Sequence, residues 1–551
     1  MHEIITLQFG HFTNFVGTHF WNTQEACFSY SENSTEPNPE IIHDVLFRTG
    51  VTQKGVETYT PRLLLYDLKG GLGSLNKFRL YEGEIPDTQS SDQYVTWDGR
   101  TETYAQEPYE QNAYLKSLEE EVEPTSNHTQ MDLDIQEEED VDYHLDDIVT
   151  TWSDYNKMYY HPKSINQINQ YQLDGYIPFD VFTYGRNAFD AHEKETESFD
   201  QNFRFFAEEC DSIQGFHVMT DIIDGFGGFA SGFIETLRDE YPKKAILVYG
   251  NTNSLDLAAV NQERKYKKQM LNAIFSTVSL CQMSSLYVPL STPLLTNQSC
   301  MKYLKPNLQL PYHTSALLSS AIETACLPFR TRSNSTTMPN LLDQLNWRGD
   351  TKIASLGVAF PLPLSIYGDD VDLSISTSNG KDACRIKYFS ATEDDNHKLE
   401  PMFSQSVVVR GFPEVFVPVS KTVCKKPGDV KTKLFDKFNS LRCANTTNFD
   451  VKLAYPIPSS FPQMFKSLTV DGFINVSGEP AQRKVKSVPM LSHLTISYQP
   501  RHLLERYVNV LEGLNFKLFP EYAEGTCGLT MEDFLQVKES ILELRDVYSE
   551  D

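Results

Sequence analysis

A run of small residues between two apolar segments constrains the fold of this chain most strongly. Residues 224–232 read DGFGGFASG, after the apolar run Phe216–Ile223 and before a helical pattern from Phe233 to Tyr241. A strand, a glycine-rich turn and a helix in this order make an anion cradle, because the turn amides converge and the helix N-terminus adds partial positive charge. The pattern predicts a phosphate site, although a glycine cluster can also serve only to let a helix pack close to a sheet.

The size and charge of the chain limit its functional class. At 551 residues, with 40% hydrophobic and 12% aromatic residues, it has the composition of a globular protein of two or three domains. A net charge of -27 argues against nucleic-acid partners, which normally require a basic face. Nine cysteines without a C-x-x-C pair or zinc spacing predict a reducing compartment and no metal. No apolar run approaches the ~18 residues of a spanning helix, so we expect any membrane association to be peripheral.

The segments that flank the glycine run carry a family resemblance. Residues 210–216 read CDSIQGF and residues 237–242 read LRDEYP. Both resemble the tubulin superfamily, in which similar runs surround the loop GGGTGSG. Four loop positions keep that pattern and are the predicted phosphate contacts: Gly227, Gly228, Ser231 and Gly232. Three positions depart from it, since two aromatic residues and an alanine replace two glycines and the threonine: Phe226, Phe229 and Ala230.

The start of the chain resembles the first tubulin signature. Residues 3–9 have a buried-strand pattern, and residues 10–17, GHFTNFVG, lead into a helix. Gly10 and Asn14 match the family, in which this turn faces the nucleotide. His11 replaces a glutamine that faces the phosphates and metal, and Phe12 replaces a small residue beneath the guanine base. The resemblance therefore implies that His11 donates to a phosphate while Phe12 crowds the base; the alternative is a turn with an aromatic core plug.

Two further positions extend the predicted nucleotide site. Residues 59–70 resemble the tubulin run VPRAxxVDLE, with Asp67 retained and Lys69 where an acid helps to hold magnesium. An ammonium group can neutralise a phosphate but cannot ligate a cation, so metal-dependent chemistry is expected to be weakened. On the predicted helix 266–278, Asn272 is near the asparagine that contacts the base in tubulins.

The segment from Pro311 to Arg330 bears on hydrolysis. It occupies the place that we assign to the tubulin helix carrying a catalytic acid to the neighbouring subunit. Leu318 and Ala321 stand where the acids are expected, and hydrocarbon side chains cannot orient a water. Glu323 is two positions away and is expected to be surface charge. The resemblance thus implies that this segment offers no acid to orient a water for hydrolysis at a neighbouring subunit.

The fold class follows from the order of the strand and helix patterns. We predict a tubulin-like α/β protein with a doubly wound parallel sheet. Residues 1–340 form its nucleotide-binding-type, Rossmann-like domain, residues 341–498 an α+β intermediate domain and residues 499–551 C-terminal helices. Residues 117–148 are a predicted acidic, disordered insertion, since residues 119–147 hold 13 carboxylates and no Lys or Arg. The insertion is either plainly solvated or a docking site for a basic partner.

Several stretches along the chain together resemble the Misato family, tubulin-related proteins of eukaryotes. They are residues 45–50, 57–62, 151–157, 160–167 and 405–411, which read VLFRTG, ETYTPR, TWSDYNK, YHPKSINQ and QSVVVRG. The resemblance implies a role in mitochondrial distribution, morphology and inheritance, and in spindle-microtubule assembly, at the cytoplasm, the outer mitochondrial surface and the spindle.

Three functional hypotheses remain open from the sequence. The first is a degenerate GTPase that requires no cofactor and acts through cytoskeletal or mitochondrial-surface proteins, with the cytosolic chaperonin as a folding partner. The alternative is an enzyme that binds GTP or GDP and hydrolyses GTP slowly. A polymer subunit is a weaker third hypothesis, because nothing in the sequence supports longitudinal contacts.

Overall fold

The computed structural model describes most of the chain. The described residues are 2–28, 40–51, 57–75, 111–122, 143–252, 263–292, 303–333, 335–365, 373–374, 384–389, 402–415, 426–441, 443–474 and 484–549. Most of the predicted acidic insertion, residues 123–142, lies outside them.

The N-terminal part of the chain folds around a six-stranded sheet. Its elements are β1 (Glu3–Phe9), α1 (His11–Glu25), β2 (Phe47–Val51), β3 (Glu57–Pro61), β4 (Leu63–Lys69), α2 (Ala113–Val122), α3 (Leu145–Ile148), β5 (Ile165–Gln172), α4 (Phe182–Thr196), α5 (Arg204–Glu208), β6 (Ile213–Asp221), α6 (Gly225–Glu240), β7 (Ala245–Thr252), α7 (Glu263–Met283) and β8 (Leu286–Ser291). The strand order is β5-β4-β1-β6-β7-β8, and every pairing is parallel. All residues of β1 and β6 are buried, as expected when helices cover both faces of a parallel sheet. The predicted doubly wound α/β architecture is confirmed.

A second, mixed sheet follows. Its segment contains α8 (Pro311–Ala325), α9 (Met338–Leu345), β9 (Ser355–Ala359), β10 (Leu373–Ser374), β11 (Cys384–Arg385), β12 (Lys387–Tyr388), β13 (Met402–Arg410), α10 (Pro427–Asn439), β14 (Asn445–Val451), β15 (Tyr455–Pro456), β16 (Ser487–Val488), β17 (Met490–Ser497), α11 (Pro500–Glu512) and α12 (Met531–Val547). The five-stranded sheet has the order β12-β9-β17-β13-β14, with β13 parallel to β14 and antiparallel to β17. The domain boundaries at residues 340 and 498 stay predictions.

Helix α8 is a central helix between the two sheets. Every residue from Tyr312 to Ala325 is buried. On one side the carbonyl of Tyr312 contacts His19 of α1 at 2.9 Å, and on the other Ser492 of β17 donates to the carbonyl of Ala321 at 3.1 Å. A helix enclosed in this way has no surface for a neighbouring subunit. The assignment of α8 as the helix that offers a trans acid is therefore wrong, and the residues at 318 and 321 carry no information about hydrolysis.

The expectation that Glu323 is surface charge is also wrong. Its side chain is fully buried on α8, where it pairs with Arg330 at 2.8 Å and with Arg410 at the end of β13. The amide of Gln24 donates to the same carboxylate at 3.0 Å. Burial alone raises a carboxyl pKa, but the two guanidinium groups outweigh it and lower the pKa of Glu323. This cluster joins the helix layer of the first sheet to the second sheet.

The ends of the predicted acidic insertion are ordered. Helix α2 buries Leu118, and α3 buries Leu145, so the structured part of the chain extends into the range 117–148 from both sides. At the other end of the chain, Thr530 caps α12 together with Asp533. Within the residues that the structure describes, no helix has the length and apolarity that crossing a bilayer requires.

Candidate functional site

The predicted site residues gather at the carboxyl edge of the first sheet, where open parallel α/β sheets bind their ligands. Phe9, the last residue of β1, is level with Tyr66 of β4 and Thr220 of β6. This register brings the start of α1, the end of β4 and the start of α6 around one crevice. Lys69 is exposed at the end of β4.

Asp67 forms the centre of one side of the crevice. It is fully buried, and its Oδ2 contacts His11 Nδ1 at 3.0 Å and accepts from the Asn14 amide at 3.1 Å and the Trp152 indole at 2.8 Å. Burial lowers the pKa of His11, but the paired Asp67 carboxylate outweighs it, so the net shift is upward. The predicted residues His11 and Asn14 therefore both contact the third, Asp67, and the Asp67 oxygen that a ligand would need already has three partners.

Trp152 was not among the predicted site residues. It lies in the run TWSDYNK, which the sequence marks only as a departure from tubulins, and it is fully buried. An indole can donate only one hydrogen bond, and Trp152 donates it to Asp67. A tryptophan in an otherwise polar run is the signal that points to such a role.

A second carboxyl group, that of Asp221, lies against the start of α1. Its Oδ2 accepts from the backbone amide of Phe12 at 3.0 Å, and its Oδ1 accepts from the Thr13 hydroxyl at 2.8 Å. Burial, followed by the neighbouring Asp224, raises the pKa of Asp221 well above its usual range, and the hydrogen bonds that it accepts offset this only in part. The sequence analysis missed this residue, although an acid that ends the apolar run before the glycines is a usable signal.

The glycine-rich segment is not the turn that its composition predicts. Helix α6 begins at Gly225, so residues 225–232 form its first two turns, with Asp224 as the N-cap that accepts from the Phe226 amide at 2.9 Å. Burial raises the pKa of Asp224 to about 7, against the effect of that hydrogen bond. The prediction of a glycine-rich loop is therefore wrong at this point.

Close packing of α6 accounts for its glycines. A β-carbon on Gly228 would lie 1.9 Å from the carbonyl oxygen of Phe182 on α4. One on Gly227 would lie 2.0 Å from Ser276 Oγ on α7. Gly232 faces the ring of Phe189 in the same way, and the Ser231 hydroxyl donates to a carbonyl within α6 at 2.8 Å. These four predicted phosphate contacts are buried between helices, which corresponds to the packing alternative stated above.

Aromatic rings fill the space beneath this helix. Phe12, Phe226 and Phe229 are buried. The Phe229 ring centroid lies 5.1 Å from that of Tyr66 and 6.0 Å from that of Phe9. The residues that replace the small tubulin side chains are thus part of the hydrophobic core.

Asn272, the predicted base contact, holds three elements together. Its Nδ2 donates to the carbonyls of Asp180 at 2.8 Å and Ile223 at 2.9 Å. Its Oδ1 accepts from the Phe182 amide at 2.9 Å and the Tyr522 hydroxyl at 2.7 Å. All hydrogen-bonding positions of this side-chain amide are in use.

A resident metal ion would need several ligating side chains close together. Across the part of the chain that the structure describes, no group of three or more His, Cys, Asp or Glu side chains is placed to hold a metal ion.

Two family models match this chain. Residues 2–120 match the Misato Segment II tubulin-like domain, and residues 144–331 match the Tubulin domain. Protein dml-1 of Neurospora crassa is 36% identical over 522 residues, which cover 88% of each chain. Protein misato homolog 1 of Homo sapiens is 29% identical over 579 residues, which cover 99% of this chain and 98% of the relative. The chain therefore belongs to the Misato/DML1 family of tubulin-like proteins.

Proposed function

We propose that this chain is a degenerate GTPase that acts by binding proteins, in mitochondrial distribution, morphology and inheritance and in spindle-microtubule organisation. The organelle role rests on family membership, because fold alone does not determine function. Its place of action is the cytoplasm and, peripherally, the outer mitochondrial membrane and the spindle. Its partners are cytoskeletal or mitochondrial-surface proteins, with the cytosolic chaperonin assisting folding, and no nucleic acid.

One observation carries the proposal for the crevice: the groups that would hold a nucleotide are already bonded within the protein. The Phe12 amide at the start of α1 is bonded to Asp221, and the Asn272 amide is bonded to the turn before α6, to the start of α4 and to the C-terminal region. Gly228 faces α4 at a distance that leaves no space for a ligand. A nucleotide would have to break these contacts, and each buried group left unpaired costs about 1–3 kcal/mol.

The nucleotide content of freshly purified protein tests this part of the proposal. We expect the extract of acid-denatured protein to contain GTP and GDP far below one molecule per chain, with tubulin purified in parallel as the positive control. Added GTP with magnesium is expected to be hydrolysed no faster than in buffer. Stoichiometric nucleotide, or turnover that follows the protein through purification, would instead support the slow GTPase.

Genetic complementation tests the cellular part. In cells that lack the endogenous protein, we expect wild-type chain to restore the mitochondrial network. His11→Ala should restore the network equally well. The His11 side chain is partly exposed and contacts Asp67, but in a degenerate site it has no catalytic task. Lys194→Ala, at an exposed position on α4 that is not a predicted site residue, is the matched control. A folded His11→Ala protein that fails where Lys194→Ala succeeds would favour the enzyme, and a wild-type chain without effect on mitochondria would contradict the organelle role.

A further inference from the structure

The N-terminus of α1 is the strongest anion position that the crevice offers. A helix of 15 residues places unpaired amides and partial positive charge at its start. Gly10, which precedes it, provides no side-chain cap, and the first turn contains no acidic residue. The acceptor for this helix end is Asp221, which is 209 residues away in sequence from Phe12.

The hydrogen bonds around Asp221 are directed toward it. The Phe12 amide can only donate, and it lies 3.0 Å from Oδ2. Asn251 donates to the Thr13 hydroxyl oxygen at 2.8 Å, which leaves the Thr13 hydrogen for Asp221 Oδ1, also at 2.8 Å. One carboxyl group thus receives a backbone amide and a hydroxyl, the donors that a phosphate would otherwise use.

The space around Asp221 is closed as well. Its side chain is 4% exposed. Gly10 has a φ of 126°, and a β-carbon there would lie 2.2 Å from Asp221 Oδ2, so the Gly10 backbone approaches this carboxyl group closely. A phosphate oxygen bonded to the Phe12 amide would need the volume that Oδ2 occupies. The obstruction is steric.

We propose that the Asp221 carboxyl group takes the place of a phosphate at the N-terminus of α1 and so excludes phosphate-bearing ligands from the crevice. This inference rests on the proposed function and names the residue that determines it. Removal of the carboxyl group should leave the Phe12 amide and the Thr13 hydroxyl free to bind an anion.

Thermal unfolding of the full-length chain tests the inference, with inorganic phosphate and pyrophosphate as probes and sodium chloride of equal ionic strength as the reference. We expect no phosphate-specific rise in melting temperature for the wild type and a concentration-dependent rise for Asp221→Ala and Asp221→Ser. The serine variant keeps a short acceptor for the amide while it opens space. Asp533→Ala, which removes the capping carboxylate of the exposed helix α12, is the matched control and should gain nothing.

The outcomes separate this inference from the proposed function. Folded Asp221 variants without a phosphate effect overturn the inference alone. A wild type that phosphate stabilises as much as the variants counts against both. If neither variant folds without phosphate, recovery of folded protein when phosphate is present during refolding supports the inference, and no recovery overturns it.

Discussion

The buried cluster around Glu323 allows a prediction whose size follows from the structure. Glu323→Gln keeps the shape of the side chain and removes its charge. The carboxylate now accepts from Arg330 and Arg410, and neither guanidinium can lose its proton. A glutamine has one acceptor oxygen, so at least one arginine loses its carboxylate partner and faces an NH2 group. Two charge-assisted hydrogen bonds contribute about 1.5–3 kcal/mol each. A loss of about 3–5 kcal/mol is therefore expected, as for other buried ion pairs from which one partner is removed.

Urea unfolding, followed by circular dichroism and tryptophan fluorescence, measures this loss as a lower midpoint. Hydrogen exchange should rise in both α8 and β13, because Glu323 and Arg410 connect these elements. Glu414→Gln is the matched control: its pair with Lys452 spans 3.5 Å, and the two side chains are 81% and 78% exposed. Exposed pairs contribute about 0–1 kcal/mol, so its midpoint should hardly change. Equal, small effects of the two substitutions would refute the reasoning.

Three further predictions concern packing, pH and the acidic segment. Gly228→Ala should lower the free energy of unfolding by about 3 kcal/mol or more, because its β-carbon meets a backbone carbonyl of α4. Gly428→Ala, with open space around it, should leave the free energy of unfolding unchanged. Equal melting temperatures of the two variants would contradict this prediction. Burial lowers the pKa of His217 to about 3, so the stability that depends on its neutral form is present above pH 6.5 and is lost on acidification. About 2 kcal/mol of the free energy of unfolding should disappear between pH 7 and pH 5. Denaturant unfolding at several pH values should show that His217→Gln removes this part of the pH dependence. Deletion of residues 123–142 should leave the melting temperature unchanged, because the segment is acidic and poor in apolar residues. Leu145→Ala, which truncates a buried side chain, should instead lower the free energy of unfolding by about 2–5 kcal/mol. A large fall in melting temperature on deletion would show that the segment contributes to the fold.

Elements with a strong local pattern could be predicted from the sequence. The apolar run at residues 3–9 is strand β1, and the pattern from Thr530 onward is a capped helix, α12. The order of strands and helices also predicts the parallel sheet and its carboxyl edge, because crossovers between parallel strands obey general rules. His11, Asn14 and Asp67 could be placed together for the same reason. Periodicity and chain order are properties of neighbouring residues, so no partner from a distant segment is needed to read them.

Tertiary structure decided what the polar and small residues do. Gly228 suits a phosphate loop as well as a helix contact, and only the carbonyl of Phe182 beside it selects the second. Asp221 meets an amide 209 residues away, and Glu323 meets Arg410 87 residues later in the chain. The free energy of a buried polar group depends on its partners, and the partners come from segments that only folding brings together. The sequence by itself therefore determined the tubulin-like architecture, whereas the packed chain decided that its own carboxyl and amide groups occupy the crevice.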